Sequence, residues 1–181
     1  MKTKKFLLTG AVAFVAAAAF GMPVSAAENA PAPDSTTVTY TNNSSIDGDS
    51  GVWGVVVPTA YSFTDANLTS TGVVELIGIN GYTLDELNDS LAVQVKAKSE
   101  HSYDVVDGAN TIAYSVKYGT NTVDKTTAVD ADSFTTDAVT ELTKAAPKTS
   151  TTATLSQKGT VKGNYTDKIT YKVSHTGDEL K

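Results

Sequence analysis

A five-residue run, Asp47-Gly48-Asp49-Ser50-Gly51, stands just ahead of the only tryptophan of the chain, Trp53. A serine between an aspartate and a glycine has the look of a nucleophile on an exposed loop. Its chemistry would be acyl transfer, in which a base takes the serine proton and a carboxylate orients the base. The same run offers hard oxygen ligands to calcium, Asp47 and Asp49 with Ser50 beside them. A third reading needs no chemistry. Asp and Gly are turn formers for backbone reasons, so the run is a polar turn that starts a strand.

The rest of the chain decides among the three. Its two histidines, His101 and His175, both follow Ser50. In the chymotrypsin order the base and its orienting Asp precede the serine, and no histidine does so here. Where the order is Ser, Asp, His, the serine sits on a G-x-S-x-G strand-to-helix elbow. Ser50 instead leads into Gly51-Val52-Trp53-Gly54-Val55-Val56-Val57-Pro58, which reads as strand. An EF-hand loop needs further carboxylates in register and a closing Glu, and they are missing. The turn reading is therefore preferred. No catalytic residue is assigned and no cofactor is expected, and the metal reading is confined to Asp47 and Asp49. There is no HExxH, no histidine pair at ligand spacing, no P-loop and no G-x-G-x-x-G. A Ser50 hydrolase ranks behind a non-catalytic role. So does a carbohydrate-binding module, which would need Trp53, Tyr61 or Tyr82 on an exposed face. Trp53 itself is expected in the core more than in a ligand-stacking role.

At the start of the chain Lys2, Lys4 and Lys5 precede an apolar run from Phe6 to Phe20, and small residues around Val24-Ser25-Ala26-Ala27 offer a cleavage site. Residues 1–27 read as a secretory signal peptide. The apolar run is shorter than the ~20 residues that span a bilayer, so no membrane span is expected after cleavage. Removing the leader takes three of 14 lysines and no acid, which leaves 11 Lys against 20 acidic residues, a net charge of −9 with no Arg. That balance excludes nucleic acid as a natural partner, because phosphates call for clustered Lys and Arg. With no cysteine, neither a disulfide nor a Cys-ligated metal contributes.

Residues 28–36, with two prolines, read as a flexible linker, and residues 37–181 as one domain. Thr37–Thr41 alternates. Val52–Val57, Val73–Ile77, Leu91–Lys98, Tyr103–Val105, Ile112–Tyr118, Ala153–Leu155 and Ile169–Val173 are short apolar or alternating runs divided by Gly and Asn. Thr83-Leu84-Asp85-Glu86 has capping-box spacing for a turn or two of helix. The pattern predicts an all-β fold, an antiparallel β-sandwich of immunoglobulin-like or Greek-key kind with seven to nine strands. Residues 119–150, polar and Thr-rich, read as one long excursion, with a helical turn at Asp137–Leu142.

The stretch Gly163-Asn164-Tyr165-Thr166-Asp167-Lys168-Ile169-Thr170-Tyr171-Lys172-Val173-Ser174-His175-Thr176-Gly177 resembles the closing strand of WxL-type surface proteins of Gram-positive bacteria. In that family a Gly-x-Tyr leads to a strand that ends in Trp-x-Leu, and Tyr171-Lys172-Val173 stands in its place. Val57-Pro58 with Tyr61 and Phe63 is similar to the family's Val-Pro-x-x-aromatic-x-Phe segment, and Leu91–Lys98 with Tyr103-Asp104-Val105 to its central strands. The likeness covers roughly residues 52–176. The chain departs from the family in lacking both Trp-x-Leu motifs. The resemblance implies a β-sandwich held non-covalently on the cell wall. The closing strand also resembles spore-coat-U-like and fimbrial subunits, which pair edge strands with their neighbours.

These readings converge on a secreted, extracellular, cell-surface protein of structural or adhesive role. Its expected partners are the cell wall or surface proteins, or its own copies through edge strands. In the last case Thr37–Thr41 is the donated strand of a fibre or pilus-like subunit. The expected binding residues are Trp53, Tyr61, Phe63, Tyr171 and Val173. No LPxTG signal or apolar tail is seen, so attachment is expected to be non-covalent.

Overall fold

Period-2 alternation in two strands, Ala92–Ser99 and Asn110–Tyr118, sets the architecture. In Ala92–Ser99 the side chains of Val93, Val95, Ala97 and Ser99 are buried and those between them are not; in Asn110–Tyr118 the buried set is Ile112, Tyr114, Val116 and Tyr118. A strand with one apolar face must bury it against a second layer. The structure, a computed structural model, describes residues 45–127 and 133–181. The leader, the linker and the Thr37–Thr41 strand expected above lie outside the described residues.

The described chain is an all-β antiparallel sandwich. Its strands are β1 (Ser45–Asp47), β2 (Trp53–Val56), β3 (Thr69–Gly78), β4 (Ala92–Ser99), β5 (Asp104–Asp107), β6 (Asn110–Tyr118), β7 (Asn121–Val123), β8 (Thr140–Thr143), β9 (Lys148–Leu155) and β10 (Ile169–Thr176). The larger sheet runs β1-β2-β3-β9-β6-β5, with β7 also paired to β6; the smaller runs β10-β4-β8. Between the sheets lie Trp53, Val55, Val74, Leu76, Leu91, Val93, Val95, Val116 and Leu142, all buried. Each such aliphatic side chain contributes about 1.5–3 kcal/mol of transfer free energy. No α-helix is present among the described residues, and none is long and apolar enough to cross a membrane.

Local chemistry explains the joints. Asp107 pairs with Asn110 and Tyr118 with Asn121, so β5–β6 and β6–β7 are closed by two-residue loops that begin with Gly108 and Gly119 at positive φ, the II′ pattern that matches strand twist. The capping box forms as read: the Thr83 amide donates to the Glu86 carboxylate at 2.7 Å at the head of a single 3-10 turn.

The excursion is corrected. Residues 119–150 contain β7, β8 and the start of β9, and no helical turn forms over Asp137–Leu142. Val139 and Leu142 suit a helix by spacing, but the free edge of β4 claims the segment. Thr135 and Val139 donate to the Ala97 and Val95 carbonyls, and Thr140–Thr143 then pairs with Ala92–Val95. A waiting row of unsatisfied carbonyls outweighs a marginal local helix. Ahead of Gly48, Ser45–Asp47 is strand paired to β2.

Candidate functional site

The Asp47–Gly51 run is a hairpin turn between β1 and β2. The Gly48 amide donates to the Trp53 carbonyl at 2.8 Å, Gly51 to the Gly48 carbonyl at 3.0 Å, and Ser50 Oγ accepts from the Val52 amide at 3.4 Å. A Cβ on Gly48 would collide with the Trp53 indole, so the glycine lets the ring lie against the turn. No nucleophile–base pair assembles at Ser50, since His101 is engaged by Asp167 and His175 by Glu179. Asp47 ends β1, Asp49 is exposed, and no group of three His, Asp or Glu side chains gathers among the described residues.

Trp53 is 1% exposed. Its indole meets the His175 ring edge-on at 5.5 Å, and the indole Nε1 and His175 Nδ1 are both buried without a hydrogen-bond partner among the described residues. In this position Trp53 joins β2 to β10 and cannot stack on a sugar. Its fluorescence is expected to be insensitive to iodide in the folded protein. Quenching comparable to that of free tryptophan would return the indole to the surface and the stacking role with it.

The other sequence-selected residues are partly buried, Tyr171 and Val173 on β10 and Tyr61 and Phe63 in the connection between β2 and β3. Tyr171 and Val173 lie opposite Ala97 and Val95 in register; those partners are fully buried, whereas Ile169, Tyr171 and Val173 are only half-buried. Val57, Tyr61 and Phe63 are likewise partly buried against the core. Tyr61 donates to Thr151 Oγ1 at 2.7 Å, and the Tyr118 and Tyr171 hydroxyls are 3.0 Å apart. Among the described strands β10 pairs with β4 alone, so its other side is an open edge. Loss of water around these phenols raises the pKa of Tyr61, Tyr103, Tyr114, Tyr118 and Tyr171; the nearby Asp167 carboxylate adds to the rise at Tyr114 and Tyr103.

Asp167, inside the stretch that carries the resemblance, is the hub of a buried network. Its side chain is 2% exposed. Oδ2 accepts from Ser99 Oγ at 2.6 Å and from the Tyr114 hydroxyl at 2.5 Å; Oδ1 accepts from the His101 amide at 3.1 Å and lies 3.1 Å from His101 Nδ1. Ser99 Oγ in turn accepts from the Tyr103 amide at 2.6 Å. The network holds Ser102 and Tyr103 in the left-handed region, at φ 53° and 62°, a strained pair for non-glycine residues. Serine, histidine and aspartate meet here, but the carboxylate stands between the other two. Ser99 donates its hydroxyl hydrogen bond directly to Asp167, so the imidazole has no serine to activate. The arrangement is a latch that fastens the entry of β10 to the end of β4 and the middle of β6.

The sequence signal was Gly163-Asn164-Tyr165-Thr166-Asp167, and each part has a task. Gly163 lies so close to the Asp107 carboxylate that a Cβ would collide with it. Tyr165 donates to the Val161 carbonyl at 3.0 Å, the device of the tyrosine corner in β-sandwiches. Asp167 closes the latch. Compared with known proteins, the chain matches no family model, no curated protein and no solved structure.

Proposed function

We propose that this is a secreted cell-surface protein of structural or binding role, held non-covalently to the cell wall or to surface proteins and without chemistry of its own. The observation that carries the reading is the setting of β10. The strand that resembles a wall-binding closing strand is a free edge among the described strands, fastened at its entry by a buried carboxylate and half-open along Ile169, Tyr171 and Val173. A rigid edge with an apolar row suits recognition by strand addition or by side-chain pockets. The same edge favours a second reading, a fibre subunit whose copies pair edge to edge.

Co-sedimentation of the mature chain, residues 28–181, with isolated Gram-positive sacculi is expected to pellet the protein. A Tyr171→Lys variant, which puts a charge into the half-open row, is expected to lessen pelleting. High-mass assemblies in size exclusion without pelleting would move the assignment to the fibre subunit. A monomer that stays in the supernatant would overturn both wall attachment and the fibre subunit and leave a surface protein as the partner.

A further inference from the structure

The outer face of the smaller sheet does not share the acidity of the chain. Its outward rows carry Lys96 and Lys98 on β4 and Lys172 on β10, with Lys168 just before β10. Lys96 lies directly opposite Lys172 in the antiparallel register, and Lys98 opposite Thr170. Directly opposed side chains are about 5 Å apart at Cβ, where like charges destabilise a sheet. The outward acids of these strands stand at the margins: Glu141 opposes Gln94, and Glu100 donates its amide to the Lys168 carbonyl. A chain with 20 acidic residues and 14 lysines thus sets two lysines against each other at mid-face, a costly choice that an anionic ligand would offset.

Two depressions mark the same face. One of about 470 Å³ is lined by Lys96, Phe134, Thr135, Thr136, Lys172 and Ser174. The other, about 190 Å³, is lined by Lys98, Glu100, Lys168 and Thr170. The Phe134 ring lies under Lys98 Nζ at 5.4 Å, and Lys96 Nζ donates to the Thr136 carbonyl. The first depression is therefore walled by two lysines with hydroxyl side chains and an aromatic face, whereas the second sets the Glu100 carboxylate and one threonine beside its two lysines, so the first is the better anion site. Ammonium groups recognise phosphate as point charges, threonine and serine hydroxyls match alcohol groups, and an aromatic ring covers the carbon face of a sugar or polyol. Like positions along a strand recur about every 7 Å, so the lysine rows suit a ligand that repeats its charge.

We propose that this face binds a sugar- or polyol-phosphate polymer, with Lys96 and Lys172 gripping the phosphate and Phe134, Thr136 and Ser174 facing the alcohol unit. The proposal deepens the cell-surface reading and rests on it for the source of the polymer. The test uses soluble poly(glycerol phosphate) and the mature chain, with polyglutamate as a carboxylate control. The Lys96→Gln/Lys172→Gln double variant is expected to bind about tenfold more weakly and to lose about 1.5 from the slope of log affinity against log salt. A Lys117→Gln/Lys162→Gln variant makes the same charge change at exposed lysines outside this face, and it is expected to bind as the parent does. Equal weakening in both variants would overturn the proposal, as would no binding by the parent or equal affinity for polyglutamate. Sacculi stripped of phosphate polymers separate the two readings. Pelleting that survives stripping would refute the phosphate site and leave wall attachment standing. Binding to the soluble polymer without any pelleting would do the reverse.

Discussion

Asp167→Ala is expected to cost about 3–5 kcal/mol, the range for removing one member of a buried charged network. The loss comes from what is left behind. The Ser99 and Tyr114 hydroxyls would stay buried or partly buried and lose their acceptor, and the exposed His101 amide would turn to water. The strained turn at Ser102 and Tyr103 would also lose the Ser99 Oγ orientation that holds it. For a domain of this size the change corresponds to a fall in Tm of roughly 10–20 °C. Urea unfolding followed by circular dichroism checks it. Asp167→Asn should fall between, because an amide keeps one acceptor oxygen but turns an N–H toward donors. His101→Ala should cost under about 1 kcal/mol, since its ring is 43% exposed and lies on the wet side of the carboxylate. If His101→Ala proved as damaging as Asp167→Ala, the latch account would be wrong and the imidazole would hold a role that hydrogen bonding to the turn does not explain.

The fold class was legible because it rests on alternation, and alternation is local. Val93, Val95 and Ala97 against Gln94, Lys96 and Lys98 announce a half-buried strand wherever they occur. β7 and β8 escaped notice because they have three and four residues and get their register from neighbours, Val116–Tyr118 and Ala92–Val95, that lie far away in sequence. Trp53 was placed in the core by residue type alone, and the glycine that makes room for it, Gly48, lay in the very run that suggested a nucleophile. The latch was legible only in part. The spacing from Gly163 to Asp167 was visible, but its meaning depends on Ser99, His101 and Tyr114, which approach Asp167 across 53 to 68 residues of chain. No periodicity carries that information, whereas a buried carboxylate with four donors around it makes the assignment at once.

Alkaline pH is expected to unfold the domain cooperatively about one to two units above pH 10. Five phenols, Tyr61, Tyr103, Tyr114, Tyr118 and Tyr171, have pKa values raised above the ordinary 10.0 by burial. The sign follows from linkage. Below the unfolded value both states keep these protons, and the stability they contribute is intact. Above it the unfolded chain releases protons that the folded chain retains, so stability falls with each further unit of pH. The slope is up to about 1.4 kcal/mol per pH unit for each phenol, or about 4 for the three most buried ones, Tyr103, Tyr114 and Tyr118, against a typical domain stability of about 5–15 kcal/mol. The fold should therefore fail within one or two units, before the buried hydroxyls ionise in place. Phenolate absorbance at 295 nm from these residues should rise together with the loss of β-sheet circular dichroism. Tyr103→Phe sharpens the test. Its hydroxyl is buried without a hydrogen-bond partner among the described residues, so its removal should not lower stability at pH 7 and should move the alkaline midpoint upward. Tyr118→Phe should move the midpoint the same way but lose the contact to the Tyr171 hydroxyl, costing about 1 kcal/mol at neutral pH. Phenolate appearing well before the sheet signal falls would show that the tyrosine layer admits water, and the seam beside β10 would then be a wet groove instead of a closed one.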